Sequence, residues 1–166
     1  GSEIALKSPA DGYTLLLISG SYTTSPSLYK NLKYDPLNDM ASVIQTENGP
    51  YVVTVHPSLP AKNVKELVAI AKARPGQLNY ASTGNGGITH LSAELFAMRT
   101  GIKITHIPYK GEGPAITDLI GGQIQFVTPN LSAAITHVNS GKLRALAVTS
   151  KERSPQLPNV PAVAET

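Results

Sequence analysis

The residues with the most evident chemical use lie in the run Tyr80-Ala-Ser-Thr-Gly-Asn-Gly-Gly-Ile-Thr-His90. It reads as the end of a strand, a glycine-rich turn and the start of a helix. A helix start leaves backbone N–H groups without partners and carries a partial positive charge. Glycine lets that backbone approach a ligand closely. The product is a small-anion site, suited to carboxylate or phosphate. The same turn can also do no more than close a strand–helix unit, and the stretch alone leaves both readings open.

Other chemistries lack their residues. The chain contains no cysteine, which removes thiolate metal sites, disulfides and a Cys nucleophile. The histidines His56, His90, His106 and His137 show neither HxxxH nor HExxH spacing, so they give no metal-ligand pattern. His90 falls in the first turn of the expected helix, where the dipole disfavours its charged form; a neutral, hydrogen-bonded structural role follows. No G-x-S-x-G elbow and no G-x-x-x-x-G-K-[ST] phosphate loop occurs. Gly84-Asn-Gly-Gly87 lacks the spacing of a dinucleotide fingerprint. The chain is expected to bind rather than catalyse, without cofactor or metal.

Bulk composition agrees with a folded binding module. Of 166 residues, 41% are hydrophobic and 15% charged, a globular rather than disordered balance. Net charge is +3 with no Lys/Arg run, and aromatics are 5%. A nucleic-acid surface needs clustered cations or stacking aromatics, so that class is set aside. Mild basicity can instead draw in an anionic small molecule.

The elements that must position the glycine turn alternate from Tyr51 onward. Residues 51–55 are β-branched and strand-like. Asn63 caps a helix with Glu66 at the capping-box position, and Val64, Leu67, Val68 and Ala71 form its apolar stripe. A strand over 77–82 leads into the turn. Thr89 is read as the cap of the next helix, with Leu91, Leu95 and Met98 apolar and Gly101 as its stop. A strand over 102–109, a loop at Lys110–Gly113 and a helix over 115–120 with Pro114 in its first turn follow. Then come a strand over 123–128, a helix capped by Ser132 and a strand over 143–149. The proline-rich tail is extended. Such alternation implies crossover units and a mainly parallel sheet with flanking helices. Ligands in such sheets sit beyond the strands' carboxyl ends, where the glycine turn and the 110–113 loop both fall. Earlier in the chain, residues 13–18 read as a strand with Tyr13 and Leu15–Leu17 in a core. Residues 19–25 read as a polar loop, 28–32 as a short helix and 41–46 as a further strand.

An ordered set of residues resembles a known family: Asp11-Gly-Tyr-Thr-Leu-Leu16, Tyr34-Asp-Pro36, Ser82 to His90 with Glu94, and His106-Ile-Pro-Tyr-Lys-Gly111. It continues through Asp118-Leu-Ile-Gly-Gly122, the run from Ser140 to Ser150, Arg153-Ser, and Leu157-Pro-Asn-Val-Pro161 with Ala164-Glu165. It is similar to the Bug, or TctC-like, extracytoplasmic solute-binding proteins of tripartite tricarboxylate transporters. The match runs in order over nearly the whole chain.

The resemblance implies a two-lobed α/β protein of the periplasmic-binding-protein type II class, closing on a small carboxylate. Di- and tricarboxylates, acidic amino acids and aromatic acids are the classes implied. The cargo would pass to membrane transporter subunits, or be presented to a sensor; an α/β enzyme on an anionic metabolite is the remaining alternative. Residues 1–48 would be an incomplete first lobe, and 49–166 the second lobe with its extended tail. Relatives begin with a strand and a Pro-Gly-Gly loop that would precede Gly1, and first-lobe strands would follow Thr166. A chain so divided would expose apolar surface, and a homodimer is expected from that. Carried over by motif, the contacts are Ser82, Thr83, Gly84, Asn85, Gly86 and Gly87 in the turn, then Tyr109, Lys110 and Gly111. Ser19, Ser21, Tyr22 and Thr23 would face them across the cleft, with Asn130 nearby. Lys110 could supply a point charge or be a solvated surface lysine. Pro129 stands where many relatives carry an acidic residue.

Overall fold

Short β-branched runs can satisfy their backbone only by pairing with one another. In the computed structural model, which describes residues 2–166, five strands do so. They are β1 (Val52–Val55), β2 (Asn79–Ser82), β3 (Thr105–Pro108), β4 (Phe126–Val127) and β5 (Arg144–Val148). Their order across the sheet is β3-β2-β4-β1-β5. β2 runs parallel to β3 and β4, while β1 runs antiparallel to β4 and β5. Four strands therefore share one direction and β1 alone opposes them, which makes the sheet mainly parallel as the alternation predicts.

Six helices accompany the strands: α1 (Ser2–Leu6), α2 (Ser21–Leu28), α3 (Val64–Ala73), α4 (Ile88–Thr100), α5 (Glu112–Ile120) and α6 (Leu131–Asn139). Successive strand residues point to opposite faces, and this splits the core. Val53, Val55, Tyr80, Phe126 and Leu146 pack under α3 and α4. Ala81 and Val127 pack on the other face against Ala115, Ile116 and Leu119 of α5. Val52 and Val148 meet Leu131 of α6 and Leu157 and Ala162 of the tail. Among the described residues, no helix is long and apolar enough to cross a membrane.

Local signals explain several boundaries. Asn63 Oδ1 accepts the Glu66 N–H at 2.9 Å, and Glu66 Oε2 accepts the Lys62 N–H at 2.7 Å. This closes the start of α3, which buries Val64, Leu67 and Ala71. Gly101 ends α4 in the left-handed region at φ 67°, as a stop glycine should.

Other expectations are corrected. α4 turns a different face inward: Thr89, Ala93 and Ala97 are buried, whereas Leu95 and Met98 are 50% and 71% exposed. Small alanines let the helix lie close to the sheet, with Phe96 packed at the edge of that core, while Leu95 and Met98 fall on its outer side. Gly87, not Thr89, is the N-cap of α4; Asn130, not Ser132, is that of α6. Before β1, residues 13–18 and 41–46 form no strand. Tyr13, Leu15 and Leu17 are 92%, 77% and 80% exposed. No strand of the described residues lies beside them, and a run of strand-forming residues without a partner cannot close a ladder. The expected polar loop at 19–25 instead enters α2, where Thr23, Thr24 and Ser25 hydroxyls donate back to the carbonyls of Gly20 and Ser21. The helix expected at 28–32 ends at Leu28.

The assignment of helix faces predicts three unfolding results. Leu67→Ala leaves a cavity in the core and should cost about 2–5 kcal/mol. Asn63→Ala removes the cap and should cost about 1 kcal/mol. Leu95→Ala should stay within about 0.5 kcal/mol. Urea denaturation followed by circular dichroism measures all three, and a Leu95 loss as large as that of Leu67 would overturn the orientation of α4.

Candidate functional site

The chain leaves β2 at Ser82, makes the turn at residues 83–87 and enters α4 with no side-chain cap on its first turn. Most of the turn's own amides are used internally. Thr83 N–H donates to Thr89 Oγ1 at 2.9 Å, and the two hydroxyls lie 3.0 Å apart. Gly84 N–H donates to Ser82 Oγ at 3.1 Å, Gly86 N–H to His90 Nδ1 at 3.0 Å, and Gly87 N–H to the Gly84 carbonyl at 3.3 Å. Among the described residues, the amides of Asn85, Ile88 and Thr89 have no acceptor. Glycine is needed at position 86, where φ is 75° and a Cβ would overlap Leu28 Cδ1. α2 lies against the turn there, with Thr24 Oγ1 donating to the Gly86 carbonyl at 3.0 Å.

Beneath the turn lies an aromatic stack. The His90 and His106 rings are 4.1 Å apart and nearly parallel, at 10°. His106 stacks on Tyr80 at 5.0 Å, and Tyr80 on Phe126 at 5.5 Å. The Tyr80 hydroxyl donates to Glu94 Oε1 at 2.7 Å; burial, then that carboxylate, push its phenol up. Burial and the neighbouring His90 hold His106 below the usual histidine range. The His90 ring accepts a hydrogen bond at Nδ1, the structural role expected of it.

Ser82 Oγ and His106 Nε2 are 2.6 Å apart, a spacing that invites a nucleophile–base reading. Ser82 is fully buried, so no substrate reaches its hydroxyl. Among the described residues, no carboxylate accepts from the other nitrogen of His106. The pair braces the turn. The parallel pairing of β2 with β3 sets Tyr80 opposite His106 and so brings the imidazole near the end of β2.

A cavity of about 990 Å³ opens over the turn. Thr83, Gly84, Asn85 and Gly87 of the expected contacts line it, and so do Ile88 and Thr89. Gly111 and Asn130 reach it from the starts of α5 and α6, Ser19 from the stretch before α2 and Ser21 from the first residue of α2. The remaining expected contacts stand elsewhere. Ser82 faces His106. Gly86 lies under α2. Tyr22 is buried in a stack on Tyr34 at 5.6 Å, and Thr23 donates to the Gly20 carbonyl. Tyr109 donates its hydroxyl to Asp118 Oδ2 at 2.6 Å; burial and that bond push it up to about 12. Lys110 is exposed and off the cavity wall.

The motifs did not point to part of the wall. Residues 44–49 and Tyr51 line it, as does Glu112, whose Oε1 accepts the Asn130 N–H at 3.1 Å. Asn130 Oδ1 is buried and has no partner among the described residues. Glycine-rich spacing marks the turn, but residues 44–49 carry no motif. Pro129, where an acidic residue was the alternative, is fully buried and accepts the Val52 N–H at 3.0 Å through its carbonyl.

Comparison with known proteins gives this architecture its relatives. Protein BugT of Bordetella pertussis is 42% identical over 167 residues, covering 99% of this chain and 51% of BugT. A solved R. palustris structure with adipate superposes with a TM-score of 0.93 at 38% identity, over 99% of this chain and 55% of that one. MatC from Rhodopseudomonas palustris with bound malate superposes at 0.82 with 26% identity, over 88% of this chain and 50% of MatC. The chain thus spans about half the length of the curated relatives it matches. The model of the tripartite tricarboxylate transporter family receptor, TctC, matches residues 2–166, every residue the structure describes. The periplasmic binding protein BugD is among its fold neighbours, and this chain belongs to the TctC receptor family.

Proposed function

We propose that this chain is part of a periplasmic receptor that captures a small carboxylate and passes it to the membrane subunits of a tripartite tricarboxylate transporter. One observation carries the reading: the amides of Asn85, Ile88 and Thr89, at the start of α4, line the cavity with no acceptor of their own. A carboxylate supplies acceptors and a negative charge at the positive end of the helix. Adipate and malate in the related structures are small carboxylates, which supports the class. Residues 49–166 would form the second lobe and residues 1–48 a part of the first, with Ser19 and Ser21 facing the turn across the cleft. The sealed Ser82–His106 pair supports binding without turnover.

The chain before β1 also bears on its partners. Tyr13, Leu15, Leu17, Val43 and Ile44 expose large apolar side chains. A second copy could cover them, giving a homodimer.

Two measurements test these readings. A thermal-shift screen against di- and tricarboxylates, acidic amino acids and aromatic acids should give a stabilising ligand. At a hundred times its Kd the gain is about 2.7 kcal/mol. Gly86→Val, which forces a side chain into the left-handed turn beneath Leu28, should abolish that gain. A full gain in the variant would move the site away from the turn. Sedimentation velocity should show the mass rising with concentration, and a monomeric mass throughout would contradict pairing.

A further inference from the structure

We infer that Glu112 selects the far end of the ligand, so that the cavity prefers a small molecule with a carboxylate at one end and an ammonium at the other over a dicarboxylate. The inference rests on the carboxylate-capture reading above and adds a specificity to it. The cavity wall holds two carboxylates, Glu47 and Glu112, and no Lys, Arg or His side chain. Glu112 uses Oε1 to accept the Asn130 N–H, while Oε2 has no donor among the described residues. Asn130 Oδ1, buried on the same wall, is a second acceptor without a donor. Tyr51, also on the wall, feels both carboxylates: burial first, then Glu112 and Glu47, push its phenol up.

The start of α4 offers N–H groups, and the side chains of Glu112 and Asn130 place oxygens on the wall of the same cavity. Topology keeps the two close. β3 leads to Glu112 on one flank of β2, and β4 leads to Asn130 on the other. Neighbouring strands lie about 4.8 Å apart, so a ligand of a few methylenes spans the gap. An ammonium brings three N–H donors for these oxygens and a charge opposite to theirs. A second ligand carboxylate brings only acceptors and meets like charge, which disfavours it.

Calorimetric titration of this chain with matched pairs tests the inference. γ-Aminobutyrate is set against glutarate, and δ-aminovalerate against adipate, so that each pair differs only in the terminal group. Valerate reports the shared carboxylate end. The amino acids should bind at least about tenfold more tightly than their dicarboxylate partners, and Glu112→Gln should erase that ratio. Gln retains an oxygen for the Asn130 N–H, so the variant removes the charge and keeps that bond. Dicarboxylates binding as tightly as the amino acids, or a ratio unchanged in Glu112→Gln, would overturn the selection and leave carboxylate capture standing. Failure of every probe, valerate included, would overturn both.

Discussion

The site depends on the way side chains tie off the glycine turn. Thr89 holds the Thr83 amide, Ser82 the Gly84 amide and His90 the Gly86 amide. Each bond removes a donor that could otherwise have met a ligand, and each fixes the backbone that presents the donors left over. A glycine-rich loop without such ties would lose conformational entropy whenever it ordered around a ligand. Here the ordering cost falls on folding, through hydroxyls and imidazoles already packed in the core. Binding to a preformed site loses less affinity to ordering.

The support runs across one face of the sheet. His90 rests on His106, His106 on Tyr80, and Tyr80 on Phe126. Those residues belong to α4, β3, β2 and β4, so the turn is braced by the elements on which the fold itself depends. Ser82, with no exposed surface, is the pivot: its hydroxyl takes the Gly84 amide and meets His106. A residue that motif reading places in the ligand's first contacts instead positions the contacts above it.

What the sequence shows and what it hides divide along physical lines. Asn63 with Glu66 and the stop at Gly101 were legible because capping is decided within a few residues. The strand–helix alternation was legible because its periods are local. The inward face of α4 was not: leucine, methionine and alanine occur around the whole helix, and only close approach to the sheet favours Ala93 and Ala97. Residues 13–18 have the propensity of a strand without its structure, since a strand exists only beside a partner. At the site, the turn announced itself through glycine spacing. The cavity wall from residues 44–49 and Glu112 did not, because it is assembled across long separations from residues with no motif.

The central claim is that the partnerless amides opening α4 hold the carboxylate. Titrating isotopically labelled chain with its stabilising ligand, and following backbone amides by NMR, tests that claim most directly. The account predicts that the largest shifts fall on Asn85, Ile88 and Thr89, with smaller changes at Gly84 and Gly86, whose amides are already bonded. Shifts concentrated at Lys110 and Tyr109, with those three amides unmoved, would contradict it.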